Sequence, residues 1–158
     1  MEKKTGNDNT TKVVPAAAGY EVHLSDSAAV SYERYANQAR NAVLRGEPTN
    51  AHCTALRQID EALEKIIPSD PFNKKYALVG DLKTIYRLHK GRLRICWVGS
   101  SRQRRIYVIF ISETLRKAGD INDPYQVLSR KVAAGEFDQL FAILGMKLRS
   151  RSITDRIQ

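Results

Sequence analysis

Ten lysines and arginines lie between Leu82 and Lys117, where Glu113 is the only acidic residue. The whole chain of 158 residues has a formal net charge of +9, and this segment alone accounts for that excess. Solvated surfaces usually mix both signs of charge, so a segment that excludes acids predicts binding of an anion: nucleic acid, an acidic protein or a membrane surface. The ten basic residues are Lys83, Arg87, Lys90, Arg92, Arg94, Arg102, Arg104, Arg105, Arg116 and Lys117.

The same segment alternates between polar and apolar residues as β-strands do. Three such runs, with turns at 89–91 and 98–103, predict an antiparallel meander. Strand alternation gives the meander one apolar face, which would cover helices, and one face that gathers the cations. The apolar face would hold Leu93, Ile95, Trp97, Ile106, Val108 and Phe110; the cationic face would hold Lys83, Arg87, His89, Arg92, Arg94, Cys96, Arg105 and Tyr107.

The elements around the meander predict a single α+β domain. A short strand at 20–24 precedes two amphipathic helices, the first beginning after an N-cap at Ser25-Asp26 and the second stopping at Pro68. Their short connection predicts an antiparallel helical hairpin. A third helix begins at Asp123-Pro124, and a fourth ends before Gly145. We expect a disordered leader (1–15), one domain (16–145) and a basic flexible tail (146–158).

Composition argues against several classes of protein. The two cysteines, Cys53 and Cys96, belong to no ligand motif, and neither CxxC nor HExxH occurs, so no metal and no cofactor is expected. The polar N-terminus lacks the apolar stretch of a signal peptide. The longest apolar run, Ile106–Ile111, has six residues, whereas a membrane span needs about 20. We therefore expect a soluble, cytoplasmic protein.

The order of strand, helical hairpin and meander containing YRLHKGRLRICW resembles the RelE/ParE toxin superfamily of bacterial toxin–antitoxin systems. Within it, GRLRICWV, ETLRKAGD and DPYQVLSRKVAAGEF are similar in order and spacing to the YhaV branch. That resemblance implies a RelE-like fold and a toxin that cuts mRNA, often in association with translation. It also implies a cognate antitoxin as partner, in a hetero-oligomer. By position, Arg87, Arg92, Arg94 and Arg116 match the basic residues of the branch.

RNA cleavage by this route uses the substrate's own 2′-hydroxyl as nucleophile. The enzyme must supply a base and cations that stabilise the phosphorane-like transition state, and the planar arginine fork suits the second task. The expected products are a 2′,3′-cyclic phosphate and a 5′-hydroxyl end, without a metal. We predict Arg87, Arg94 and Arg116 as catalytic cations and His89 and Tyr107 as candidates for proton transfer. The RNA-binding residues would be Lys83, Lys90, Arg92, Arg102, Arg104, Arg105 and Lys117.

Two other functions fit the same residues. A ParE-like inhibitor of DNA gyrase would share the fold and act by binding protein. A non-catalytic RNA-binding module would use the basic sheet only to hold phosphates.

Overall fold

The computed structural model describes residues 10–14, 19–78, 85–112 and 124–145, with the backbone alone for the first range. Five strands form one sheet in the order β1-β2-β5-β4-β3. The β2–β5 pair is parallel, and the other three pairs are antiparallel. The strands are β1 (Thr10–Val14), β2 (Glu21–Ser25), β3 (Tyr86–Lys90), β4 (Leu93–Ser100) and β5 (Arg105–Ile111).

The first helical layer is the predicted hairpin. Its helices are α1 (Asp26–Leu44) and α2 (Ala51–Glu61); α2 continues through a π-helical turn (Ala62–Ile66) into a short helix α3 (Ile67–Ser69). Ser25 caps α1 as predicted, because its Oγ accepts a hydrogen bond from the Ala28 backbone N–H at 3.2 Å. The Cys53 thiol donates to the Ala39 carbonyl, and the Tyr32 hydroxyl donates to Asp60. These contacts show that α1 and α2 run antiparallel.

The second helical layer consists of α4 (Pro124–Ala133) and α5 (Asp138–Ile143). These helices bury Leu128, Phe137, Leu140, Phe141 and Leu144 against the sheet face opposite α1 and α2. The predicted α+β fold is confirmed, with its strand, helical hairpin, antiparallel meander and C-terminal helices. In the described part of the chain, no helix is both long and apolar enough to cross a membrane.

The prediction of one open cationic face on the meander is wrong. The side of β4 and β5 that should have been cationic carries Cys96, Val98, Tyr107 and Ile109, which are at most 3% exposed under α4 and α5. Both strands are nearly continuous apolar runs, and such runs are typical of strands buried on both faces. The described cations of the meander therefore lie at its two ends.

A β-bulge in β5 explains one further difference. Cys96 pairs with Phe110 and Trp97 pairs with Val108, so Ile109 has no partner in the β4–β5 register. The extra residue shifts the alternation of the strand. Phe110 consequently faces α4 and α5 instead of joining Val108 on the other side.

The N-terminal segment differs from its prediction as well. Residues 1–15 were expected to be disordered, yet Thr10–Val14 pairs with β2 as the edge strand β1. Its β-branched threonines and valines favour extended backbone, and β2 would otherwise present an open edge. The prediction of disorder is therefore wrong for 10–14.

Candidate functional site

Three predicted site residues come together at the end of the sheet formed by the β3–β4 hairpin. Arg87 and His89 lie on β3 and Arg94 lies on β4, where His89 pairs with Arg94 and Arg87 pairs with Cys96. Strand alternation directs all three side chains to the side of the sheet that carries α4 and α5. Directly paired residues have Cβ atoms about 5 Å apart. We call Arg87, His89 and Arg94 the hairpin cluster.

The two arginines of the hairpin cluster differ in their contacts. Arg94 donates from Nη1 to the carbonyls of Gly91, at 2.9 Å, and Leu93, at 3.3 Å, so its guanidinium is held over the hairpin turn. Arg87 is half-buried and has no hydrogen bond or ion pair within the ranges that the structure describes. It therefore presents a complete set of N–H donors for an anion.

The surroundings of His89 favour its neutral form, although the residue is largely exposed. Partial burial of the ring is the main cause that lowers its pKa, and the charges of Arg94 and Arg87 lower the pKa further. A neutral imidazole can accept a proton at physiological pH. The cluster thus combines a proton acceptor with two permanent cations.

Cys96 lies beneath this cluster but cannot act as its nucleophile. The thiol is fully buried, and burial raises its pKa, against the smaller lowering effect of Arg87 and Arg94. A thiol that stays protonated is a poor nucleophile. Cys96 is therefore a core residue, although the alternation of the strand placed it on the expected cationic face.

A buried serine ties the hairpin cluster to α1. The Ser112 hydroxyl accepts from the Arg94 N–H at 3.1 Å, and the Ser112 N–H donates to the Arg94 carbonyl at 3.0 Å. The Tyr35 hydroxyl on α1 donates to the Ser112 carbonyl at 2.7 Å. These bonds fix the start of β4, and with it the backbone that carries Arg94. Sequence reasoning missed both residues, because a serine after an apolar run and a tyrosine in a helix are not distinctive signals.

We expect Tyr35→Phe to destabilise the protein by about 1–3 kcal/mol, the usual cost of leaving a buried polar group unpaired. Urea unfolding should show a lower midpoint with an unchanged slope. Tyr32→Phe is the matched control, since its hydroxyl bonds the half-buried Asp60. If Tyr35→Phe and Tyr32→Phe lowered the free energy of unfolding equally, the Tyr35–Ser112 hydrogen bond would have no larger stabilising effect than the Tyr32–Asp60 bond.

A second group of cations lies at the opposite end of the same strands. Arg102 and Arg104 are in the β4–β5 turn, and Arg105 begins β5, paired with Ser100. Ser100 lies six positions after Arg94 along β4, which places this group about 20 Å from the hairpin cluster. We call Arg102, Arg104 and Arg105 the turn cluster. The two clusters do not form one continuous site.

Contacts within the protein occupy two members of the turn cluster. The Arg105 Nε lies 3.6 Å from Glu21 Oε1, and its Nη1 donates to the Tyr107 hydroxyl at 3.4 Å. Arg104 has a positive φ of 58° and places its guanidinium 4.1 Å from the ring centroid of Tyr20. Arg102 is exposed and makes no ion pair in the described ranges.

Tyr107 is separated from the histidine with which it was grouped. Its ring is 3% exposed and stacks on His23 at a centroid distance of 4.9 Å, while His23 Nε2 lies 3.0 Å from Glu21 Oε1. The expectation that Tyr107 shares an open face with His89 is wrong, because α4 and α5 cover that face and Tyr107 lies beside Arg105. Sequence reasoning did not place His23 in this group.

The remaining predicted residues occupy other positions. Lys90 is two positions after Leu88 on β3, so its side chain projects to the same side of the sheet, the side of α1. Arg92 lies in the hairpin turn. Lys83, Arg116 and Lys117 fall outside the described residues. Within the described ranges, no group of three or more His, Cys, Asp or Glu residues could hold a metal ion.

Comparison with known proteins gives one match. Residues 26–147 match the family model Toxin_YhaV, described as a toxin with endonuclease activity, of a toxin–antitoxin system. Neither the curated proteins nor the solved structures contain a match. The matched range includes both helical layers, the hairpin cluster and the turn cluster.

Proposed function

Since the chain belongs to the YhaV toxin family, with endonuclease activity and a cognate antitoxin as partner, we propose that it is a metal-independent endoribonuclease. It would cut mRNA, free or on the ribosome, and thereby inhibit translation and arrest growth. The observation that supports this proposal best is the hairpin cluster, which brings together three groups. The pKa of His89 is lowered, Arg87 has no partner among the described residues, and Arg94 is anchored to the hairpin turn. The endonuclease activity of the family favours this function over a gyrase inhibitor or a non-catalytic RNA-binding module.

In the proposed mechanism, His89 accepts the proton of the 2′-hydroxyl. The resulting 2′-oxygen attacks the adjacent phosphorus and the bond to the 5′-oxygen breaks. The 5′-oxygen takes a proton from water, so that a 2′,3′-cyclic phosphate and a 5′-hydroxyl end are formed. Arg87 and Arg94 would bind the non-bridging oxygens, whose negative charge grows in the transition state. Arg116, which lies outside the described residues, remains our third proposed catalytic cation because it matches a basic residue of the family.

Tyr107 is not assigned to this step, because it lies in the other group of side chains. Lys90 and Arg92, at the hairpin turn, would contact RNA phosphates next to the scissile bond. Lys83 and Lys117, on either side of the described meander, remain proposed RNA-binding residues.

The role of His89 gives the cleavage rate a defined pH dependence. The base must be neutral, so the rate should fall as pH drops through the pKa of His89. Since that pKa is lowered from its ordinary value of 6.5, the acidic limb should be centred below pH 6.5. His89→Gln should remove the limb and lower the rate by about 10²–10⁴-fold.

Single-turnover rates on a short RNA between pH 4.5 and 8 would test this prediction. Circular dichroism at each pH should show that the fold persists. An unchanged acidic limb in His89→Gln would exclude His89 as the base.

For inhibition, we propose that the antitoxin lays an acidic segment over the hairpin cluster and competes with RNA. Arg87, which has no partner among the described residues, offers a site for a carboxylate as readily as for a phosphate. A second mode is docking on the helices at 27–67, which would block approach to a large target. The exposed apolar residues Val30, Val43 and Leu44 of α1 favour that mode. Binding of Arg87→Ala to the antitoxin over a salt series distinguishes the two modes, since only the first depends on this cation.

A further inference from the structure

Hydrogen bonds from Gln103 hold the β4–β5 turn that carries the turn cluster. The Ser100 hydroxyl accepts from the Gln103 N–H at 3.1 Å, and the Gln103 side chain donates to the Ile143 carbonyl at the end of α5, at 3.2 Å. The β4–β5 turn is thus attached both to its own strand and to the helical layer. A rigid turn holds its cations in position without a further loss of conformational entropy on binding.

One carboxylate partly neutralises this cluster. The Glu21 side chain is 59% exposed and that of Arg105 is 45% exposed, so both can be reached from solvent. Within the ranges that the structure describes, the Glu21 carboxylate makes its contacts through Oε1, with His23 Nε2 and Arg105 Nε. A carboxylate beside an arginine occupies the position that a phosphate oxygen would take. Any anion that binds Arg105 must therefore compete with Glu21.

The turn cluster and the hairpin cluster face the same side of the sheet. Arg105 precedes Tyr107 by two residues, and Arg94 precedes Cys96 by two, so strand alternation directs both arginines to the side of α4 and α5. A stacked nucleic-acid strand rises about 3.4 Å per nucleotide, so the separation of about 20 Å corresponds to at least about six nucleotides, because the strand must pass over α4 and α5. One RNA strand can therefore reach both clusters, whereas an anion of one or two nucleotides cannot.

We propose that Arg102 and Arg105 form a second phosphate-binding site for the RNA strand, and that Glu21 weakens this site by occupying the Arg105 guanidinium. The site binds the sugar–phosphate backbone, without base specificity, several nucleotides from the bond that is cleaved. It rests on the proposed ribonuclease function, because it assumes that RNA is held at the hairpin cluster. It contributes to affinity and does not take part in the chemical step.

Binding of RNA oligomers of two lengths tests this proposal. The probes are 2′-O-methyl RNAs of 4 and 12 nucleotides, labelled for fluorescence anisotropy, which lack the attacking hydroxyl and cannot be cut. For the 12-mer, Arg102→Ala and Arg105→Ala should each raise Kd about two- to fivefold, the range for one exposed charge pair. The salt slope should fall by about 0.7 for each lost phosphate contact. Binding of the 4-mer, which can occupy the hairpin cluster alone, should change in neither variant.

Glu21→Gln should change the affinity for the 12-mer in the opposite direction, by lowering its Kd. It removes the competing carboxylate, so the 12-mer should bind more tightly while the 4-mer is unaffected. Arg40→Ala is the matched control, because it also removes one positive charge. Arg40 is exposed on α1, on the other side of the sheet, and among the described residues its guanidinium donates a hydrogen bond to Asn37. The second site would be overturned if Arg102→Ala raised the Kd of the 12-mer by no more than Arg40→Ala does.

Two further outcomes separate this proposal from the one on which it rests. If Arg87→Ala abolishes binding of the 4-mer while the turn variants bind the 12-mer normally, the second site is wrong and the ribonuclease site stands. If Arg87→Ala has no effect on either RNA, the proposed function itself fails. Loss of antitoxin affinity in Arg102→Ala with unchanged RNA binding would assign the turn to protein recognition and overturn the RNA site.

Discussion

Arg87→Ala is expected to lower the rate of RNA cleavage by about 100- to 1,000-fold, the usual effect of removing one donor from a transition-state anion site. Arg87 has no partner in the described ranges, so its loss breaks no bond of the fold. The free energy of unfolding should therefore change by no more than about 0.5 kcal/mol. Arg94→Ala should also lose activity, but it removes two bonds to the hairpin turn as well and is the less direct test.

Induced expression without the antitoxin provides the measurement. Cells that express the wild-type protein should stop growing and accumulate cut transcripts without double-strand breaks in DNA, whereas cells that express Arg87→Ala at equal levels should grow. Arg40→Ala should arrest growth like the wild type, because its charge lies on α1. Full toxicity of Arg87→Ala would remove the hairpin cluster from the mechanism. DNA breaks without cut transcripts would favour the gyrase alternative.

Replacing the scissile nucleotide of an RNA substrate by its 2′-deoxy form should abolish cleavage. The proposed reaction has no other nucleophile, so the loss should exceed that in any single protein variant. Cleavage of the all-ribose RNA should persist in EDTA, because attack by the 2′-hydroxyl with arginine support needs no divalent ion. Free RNA must be used, since ribosomes carry their own Mg²⁺.

Mass spectrometry of the products supplies the control, by detecting the 2′,3′-cyclic phosphate and the 5′-hydroxyl end. A substrate with the deoxy nucleotide one position away should be cut normally. Cleavage of the scissile deoxy substrate, or activity that returns only when a divalent ion is added, would contradict the mechanism.

Local patterns in the sequence predicted most elements of the fold correctly. The N-cap at Ser25, the helical hairpin, the meander and the start of α4 at Pro124 follow from capping, periodicity and proline chemistry, which act over a few residues. The site was predicted less completely. Alternation placed Arg87, His89 and Arg94 on one side of the sheet, and the structure confirms that they lie together.

What the sequence could not show depends on contacts between distant segments. Tyr107 is buried because α4 and α5 cover the sheet. The side of the sheet to which Phe110 points depends on a β-bulge that no local sequence pattern indicates. The neutralisation of Arg105 by Glu21 joins two strands that are far apart in the chain. A count of charges treats all ten cations alike. The structure distinguishes them, because Arg105 forms an ion pair with Glu21 whereas Arg87 has no partner among the described residues.

The parallel pairing of β2 with β5 has a consequence for the synthesis of the toxin. Val22 pairs with Ile106, and the Ser25 hydroxyl donates to the carbonyl of Ile109, 84 positions later in the chain. At about 5–20 residues per second, the ribosome needs roughly 4–17 s to extend the chain over that distance. The helical hairpin can form early from local contacts, but β2 must wait for its central partner. A new toxin molecule therefore acquires its complete sheet only after β5 has been synthesised.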